Sequence, residues 1–293
     1  MPGTTRAIAL LTNPTSGKGK GGRMGAAAVA HLRGAGLTVR ALQGRDADEA
    51  LDLARECVSD GVDALVVCGG DGMVNLGIQA VATTGIPLGI IPAGSGDDVA
   101  RYFDIPRADP VAAADRVVAG ATRTIDLARS QGRYYATVMA AGFDAVVNER
   151  ANRMSWPRGQ MRYNIATLLE LRTFQPLPYT LDLDGTTLQL SAMLVAIGNG
   201  HSFGGGLRIT EGARMDDDLL DVVIIKPITK VDLVRTYPKL FKGTHTAHPQ
   251  YERHRARKVT VAAPGIVAYA DGERFGPLPL TIESVPGALK VLS

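Results

Sequence analysis

The sequence predicts an α/β chain in two parts: a Rossmann-like, doubly wound domain over residues 1–128, then a domain dominated by antiparallel sheet over residues 129–293. Three observations predict it. Short apolar runs alternate with helix-length amphipathic stretches through the first part. Three of those runs end in glycine-rich turns. From about Tyr134, strand-like runs follow one another with few helices between them.

The elements follow in chain order. Ala7–Leu11 is a buried strand closed by Thr12-Asn13-Pro14, and Leu37–Leu42, Ala64–Cys68 and Leu88–Ile91 are its parallel partners. Between the second and third lies a helix, Asp46–Ser59. Ala50, Leu51, Leu53, Ala54 and Val58 recur there at helical spacing, and Asp46 is placed to cap it. The two parts join near Asp126–Gln131. Beyond the join, Tyr179–Asp184, Leu188–Ile197, Leu219–Ile225, Val259–Ala263, Ile266–Ala270 and Leu280–Glu283 read as strands, with Asp184-Gly185 as a hairpin turn. Two helices interrupt them, Arg162–Thr173 and Lys230–Lys242, the second carrying Pro238.

Composition sets bounds. A chain of 293 residues, 45% hydrophobic and 21% charged, buries a sizeable core. Its formal charge of +3 does not call for nucleic acid, and the densest cationic run, Arg253–Lys258, reads as solvated surface. Cys57 and Cys68 fit no metal or redox spacing, which suits two buried thiols in a reducing cytoplasm. No signal peptide opens the chain and no apolar run approaches ~20 residues, so any membrane contact is expected to be peripheral, at the inner face.

The glycine-rich turns carry the chemistry. Asn13–Gly22 follows the first strand, Gly69-Gly70-Asp71-Gly72 the third, and Pro92–Asp98 the fourth. In an open parallel sheet these turns share the carboxyl edge, where ligands bind. Glycine there lets backbone N–H groups meet a phosphate, and the helix N-termini that follow favour negative charge. Lys18, Lys20 and Arg23 add cations. Gly17, Gly19 and Gly22 also match G-x-G-x-x-G, which keeps a dinucleotide oxidoreductase as a rival. A Walker A loop fails because Thr12 and Gly19 stand at two of its fixed positions, and Ala93–Asp97 lacks the spacing of a hydrolase elbow.

Asn13-Pro14-Thr15-Ser16-Gly17, Gly69-Gly70-Asp71-Gly72 and Pro92-Ala93-Gly94-Ser95-Gly96-Asp97-Asp98 stand in an order that resembles the bacterial diacylglycerol kinase family. That family is related to sphingosine and ceramide kinases and, more distantly, to NAD kinases. The likeness continues through Gly204-Gly205-Gly206, Met215–Asp221 and Asp271-Gly272-Glu273, nearly the whole chain. It implies an ATP- and Mg²⁺-dependent lipid kinase that phosphorylates diacylglycerol to phosphatidic acid, with ATP in the cleft between the α/β domain of residues 1–128 and a β-sandwich domain of residues 129–293. A homodimer is compatible with it.

The resemblance also implies roles. Asn13, Pro14, Thr15, Ser16 and Gly17, then Gly69, Gly70, Asp71, Gly72, Met73, Val74 and Asn75, would wrap the nucleotide phosphates, with Ser95 nearby. Lys18 and Arg23 would meet phosphoryl charge. Asp71 would hold a metal or orient the lipid hydroxyl, with a turn-capping carboxylate as the plainer reading. Glu273 would be the general base. Asp217, with the carbonyls of Arg214 and Leu219, would hold a structural Mg²⁺. Asp97 or Asp98 is expected to cap the following helix, and Asp126 to brace either the two domains or a charged network at the cleft. His245-x-x-His248 is expected on a surface loop and not at a metal, while Asn152–Arg162, with Trp156, suits either an anionic lipid surface or an interdomain linker. Met73, Leu76, Asp97 and Asp218 depart from the family's usual Thr, Glu, Asn and Gly. The first two sustain a second rival, a nucleotide- or lipid-binding regulator without catalysis. Sphingoid lipid and NAD remain alternative acceptors.

Overall fold

The computed structural model describes residues 6–142 and 175–293, with positions 147, 150, 153, 154, 156 and 165 between them. The N-terminal part alternates strands and helices: β1 (Ala7–Thr12), a single turn α1 (Ser16–Gly19), α2 (Gly21–Gly34), β2 (Thr38–Leu42), α3 (Ala47–Ser59), β3 (Ala64–Gly69), α4 (Asp71–Val81), β4 (Leu88–Pro92), α5 (Asp98–Tyr102) and α6 (Pro110–Ala119). The strands run parallel in the order β2-β1-β3-β4, so β3 lies between β1 and β4. Every residue of β3 and β4 is buried, as expected of strands covered on both faces. Asp46 caps α3 by accepting from the Glu49 N–H.

The rest of the chain adds β5 (Thr122–Ser130), β6 (Arg133–Tyr135), β7 (Val138–Gly142), β8 (Leu177–Leu183), β9 (Thr186–Ala192), β10 (Leu194–Gly198), β11 (Leu220–Ile225), α7 (Lys230–Leu240), β12 (Tyr251–Ala256), β13 (Lys258–Ala262), β14 (Val267–Ala270), β15 (Glu273–Pro277) and β16 (Leu280–Leu292). Six of these form a second, antiparallel sheet in the order β12-β11-β10-β7-β14-β15. The others extend the first sheet through β16, which pairs with β4 in parallel and with β5 and β13 antiparallel. One apolar cluster fills the parallel sheet and its helices, and a second lies between the two sheets.

Several expectations change. Asp126–Gln131 is not a joining loop: it finishes β5 and begins the β5–β6 hairpin, with Gln131 and Gly132 at positive φ. Leu188–Ile197 is two strands in different sheets. Ala192 and Met193 are consecutive buried residues, which breaks the alternation of one strand and marks where the chain changes sheet. Leu280–Glu283 is the start of a strand of 13 residues. Its middle holds a register shift between Val285 and Leu289, where Gly287 has φ 60°. Pro286 and Gly287 belong at such a bulge and hide the strand's continuity in the sequence. The expected helix Arg162–Thr173 lies outside the described residues, as does most of Asn152–Arg162; Trp156 is described and exposed.

Candidate active site

The three turns meet. After β1, Asn13 turns the chain by accepting from the N–H and hydroxyl of Thr15. Its own N–H bonds the Cys68 carbonyl at the end of β3, and Ala93 N–H bonds the Gly69 carbonyl. Gly17 and Lys18 adopt left-handed φ of 58° and 62°. A Cβ on Gly17 would sit 2.2 Å from the Ala93 carbonyl oxygen, and one on Gly94 2.6 Å from the Gly70 Cα. Close approach of three backbones is therefore what these glycines supply.

The dinucleotide fingerprint has a different fate. A Cβ on Gly19 would touch nothing, and one on Gly22 would make only ordinary contact with Pro14. The glycines that α2 needs are Gly21 and Gly25, whose Cβ atoms would lie 2.1 Å from the Asn13 carbonyl oxygen and 2.6 Å from the Thr12 hydroxyl. Of the fingerprint glycines only Gly17 makes a close approach, and it does so against the Ala93 turn and not along α2.

Asp71 opens α4 and reaches sideways: its two carboxylate oxygens accept the N–H groups of Asp97 and Asp98 at 2.9 and 2.8 Å. It therefore caps α5, which neither Asp97 nor Asp98 does, contrary to the sequence expectation. Burial first, then the neighbouring Asp98 charge, push its carboxyl up to about 6. Asp97 sits in a left-handed conformation (φ 54°) and accepts from Gly94 N–H. Burial raises its carboxyl as well.

Asp98 joins the halves. It accepts from Gly205 N–H (2.7 Å), Gly206 N–H (2.8 Å) and the Ser202 hydroxyl (3.1 Å). Asp271, buried, accepts from Ala136 N–H, Thr137 N–H, the Thr137 hydroxyl and the Asn75 amide. Its carboxyl is pushed upward by burial, against the pull of those donors. Asp126 takes Asp218 N–H and Gly287 N–H, both at 2.8 Å, so it fixes the 215–218 loop to the bulge of β16. The role of Asp271 was not foreseen, since nothing in the sequence around it separates a brace from an ordinary turn Asp.

Glu273 begins β15, exposed, and a Cβ on Gly72 would lie 3.1 Å from its Oε1. The carboxylate from the sandwich thus faces the first turn of α4. Lys18, Lys20 and Arg23 are exposed beside the first turn. Met73 and Leu76 are buried in the N-terminal core, and Met73 packs so closely on Gly69 that a Cβ there would meet its Cγ at 2.3 Å. Neither departure lines the cavity described next.

That cavity holds about 680 Å³. One end is polar, formed by Asp71, Ser95, Gly96, Asp98 and Asp271. The remainder runs into the second part of the chain past Met193, Leu194, Phe203 and Ile225, under Leu233, Tyr237 and Leu240 of α7. His245, in a 3-10 turn, and His248, the extended residue just after it, border the cavity, and His245 is not on a surface loop: it is buried, with Nε2 on the Ile209 carbonyl, because the turn packs its ring edge-on against Tyr251.

Among the described residues there is no group of three or more His, Cys, Asp or Glu fit for a metal. Asp217 and neighbouring carbonyls form an all-oxygen donor set of the kind Mg²⁺ takes. Arg255 ion-pairs one oxygen of Asp217, however, and Leu219 N–H approaches the other at 3.3 Å. Arg214 pairs with Asp216. The repulsion within Asp216–Asp218 is thus already relieved by two guanidinium groups, and a cation at Asp217 needs Arg255 to yield. Cys57 and Cys68 are free and buried.

Residues 7–130 match the diacylglycerol kinase catalytic domain, and residues 137–293 match the YegS C-terminal NAD kinase beta sandwich-like domain. The chain is 46% identical to a diacylglycerol kinase of Mycobacterium tuberculosis (strain ATCC 25618 / H37Rv), over 97% of this chain and 94% of that protein. It is 26% identical to a diacylglycerol kinase of Bacillus subtilis (strain 168), over 92% and 90%. In fold it is similar to the crystal structure of a diacylglycerol kinase from Bacillus anthracis str. Sterne, with a TM-score of 0.74, 20% identity, and 98% and 96% of the two chains covered.

Proposed function

The chain belongs to the bacterial diacylglycerol kinase family, and from that premise we propose that it transfers the γ-phosphoryl group of ATP to the free hydroxyl of diacylglycerol, giving phosphatidic acid and ADP. Residues 1–128 form the nucleotide half in this reading and residues 129–293 the lipid half. The carrying observation is the cavity. An apolar chamber of about 680 Å³ ends on polar residues at the carboxyl edge of the parallel sheet. This shape suits an acceptor with apolar tails and one reacting hydroxyl, and suits NAD poorly.

The chemistry follows from the arrangement. Phosphoryl transfer has a loose transition state that needs positioning and charge more than covalent help. The turns Asn13–Gly17 and Gly69–Asn75 wrap the phosphates at the positive N-terminus of α4, with Lys18 and Arg23 as the cations and Ser95 at the junction with the lipid cavity. Asp71 keeps the 94–98 turn in place through two backbone N–H bonds. Glu273 takes the hydroxyl proton as the oxygen attacks the γ-phosphorus and the bond to ADP breaks. Mg²⁺, when bound with ATP, neutralises phosphate charge; a structural Mg²⁺ at Asp217 with the carbonyls of Arg214 and Leu219 is part of the same proposal. No helix among the described residues is long and apolar enough to cross a membrane, and the lipid is met at the inner membrane face by peripheral contact.

The test is transfer of labelled γ-phosphate to diacylglycerol in mixed micelles, beside sphingosine and NAD. Glu273→Gln is expected to lower kcat by ~10²–10⁴ while leaving ATP binding intact. Equal rates for this variant remove Glu273 from the mechanism. Faster transfer to sphingosine or NAD changes the acceptor, and ATP binding without transfer to any acceptor favours the regulator.

A further inference from the structure

Five large apolar side chains are exposed among the described residues, and three of them, Val231, Val234 and Phe241, lie on or directly after one helix, α7. With exposed Pro238 they stand at i, i+3, i+7 and i+10, a continuous stripe along the helix. A second stripe, Leu233, Thr236, Tyr237 and Leu240, borders the cavity. A third edge carries Arg235, Lys239 and Lys242, all exposed. The single acid of the helix, Asp232, accepts from the Thr229 hydroxyl in the N-cap.

A helix that is apolar on its inner face needs polar residues on the outer one to be content in water. Here an outer sector is apolar and its border is cationic, the distribution of helices that lie in the plane of an anionic bilayer. Continuity adds to the case, because the same helix roofs the cavity that ends at the phosphate turns. We propose that α7, with Phe241 and Lys242, is the surface this protein lays on an anionic lipid bilayer, so that the acceptor cavity adjoins the acyl region. The inference rests on the lipid-kinase reading and names the element that makes its membrane contact. The apolar stripe would enter the boundary between headgroups and acyl chains while Arg235, Lys239 and Lys242 pair with lipid phosphates. Each such cation contributes roughly fivefold to partitioning.

The experiment is flotation of the full chain with vesicles of phosphatidylcholine alone and of phosphatidylcholine with phosphatidylglycerol. Two helix variants accompany it, Val231→Ser/Val234→Ser and Arg235→Glu/Lys239→Glu/Lys242→Glu, with Trp156→Ala, at the other strongly exposed aromatic, as the comparison. The unmodified chain is expected to float with the anionic vesicles only. The charge variant should bind about a hundredfold more weakly or not at all, and the serine variant at least tenfold more weakly. Both should phosphorylate a monomeric short-chain diacylglycerol at the unmodified rate, which also reports that they are folded. Unchanged flotation of both variants overturns the proposal, as does loss of flotation in Trp156→Ala with both helix variants unaffected. Absence of kinase activity on the monomeric lipid refutes the lipid-kinase reading by itself, while flotation still reads the helix surface.

Discussion

Asp98→Ala tests whether the two halves are held at the phosphate edge by one carboxylate. The side chain is buried and accepts three hydrogen bonds from the 202–206 loop, two of them from backbone N–H groups at 2.7 and 2.8 Å. Bonds to a charged group contribute roughly 1.5–3 kcal/mol each. The low end applies here, because the three bonds share two oxygens and lie at the edge of a cavity. Removing a buried charge also returns part of its own desolvation cost. The net loss is expected to be ~3 kcal/mol, which for a chain of this size lowers Tm by roughly 5 °C. Asp98→Asn keeps one acceptor and should lose about half as much. Calorimetry of both variants measures the stability, and a cycle with Ser202→Ala should show about 1 kcal/mol of coupling. Because Gly204 and Gly205 line the cavity, the apparent KM for lipid should rise more than that for ATP. A Tm within 2 °C of the unmodified chain for Asp98→Ala, with no coupling to Ser202, refutes the brace.

Asp71 should leave a signature in pH. Its folded carboxyl stands near 6 against an ordinary 3.8, so the folded state keeps a proton that the unfolded state gives up. Its contribution to stability is complete below about pH 4 and is lost as pH rises through 6, by up to about 3 kcal/mol. Asp71→Asn should therefore gain on the unmodified chain between pH 4 and 6 in urea unfolding; parallel curves would sink this. Gly17→Ala should weaken ATP at least tenfold by calorimetric titration, because its Cβ meets the Ala93 carbonyl oxygen at 2.2 Å. Gly19→Ala, strained at φ 87° with open space around it, should change affinity only a few-fold; similar losses in both would mean the clash is not what matters. Arg255→Ala frees Asp217, so thermal stabilisation by millimolar Mg²⁺ should increase if Asp217 takes the ion. The absence of any Mg²⁺-dependent gain removes the ion from that loop.

How much was legible follows the range of the signal. Local patterns carried the parallel strands, the Asp46 cap and the Asp184-Gly185 turn, whose register Leu183↔Thr186 closes a two-residue hairpin. The glycine turns were legible as a set because steric need leaves a mark in composition. Long-range pairing left no such mark. β16 was cut short because Pro286 and Gly287 imitate a terminator, whereas they form a bulge whose N–H is held by Asp126, 161 positions away. In the site, Asp71 was singled out for its place between glycines, but its partners, the amides of Asp97 and Asp98, come from the next turn. The apolar cavity was invisible, since Met193, Phe203, Ile225 and Leu240 are ordinary core residues in sequence and face a common space only once folded.

Asp71, Asp98, Asp126 and Asp271 also raise a question of charge. Asp71, Asp98 and Asp271 border the chamber proposed to open onto a triphosphate, which at first sight would repel the ligand. Their partners answer it. Each accepts backbone N–H groups from another segment: Asp71 from the 97–98 turn, Asp98 from the 205–206 loop, Asp126 from 218 and 287, and Asp271 from 136 and 137. A carboxylate with its lone pairs spent on fixed amides has its charge compensated by dipoles that cannot rotate away. The negative charge is thus turned toward the frame of the cleft. The first turn spends the N–H groups of Asn13, Thr15 and Ser16 on its own frame, so the positive end of α4 at Asp71 and Gly72 and the exposed Lys18, Lys20 and Arg23 are what remain for phosphate. On this argument the acids set the spacing between the halves and the glycine turns set the affinity for phosphate. Loss of one acid should then loosen the cleft and raise KM for lipid, whereas closing one glycine turn should weaken ATP with the cleft otherwise intact.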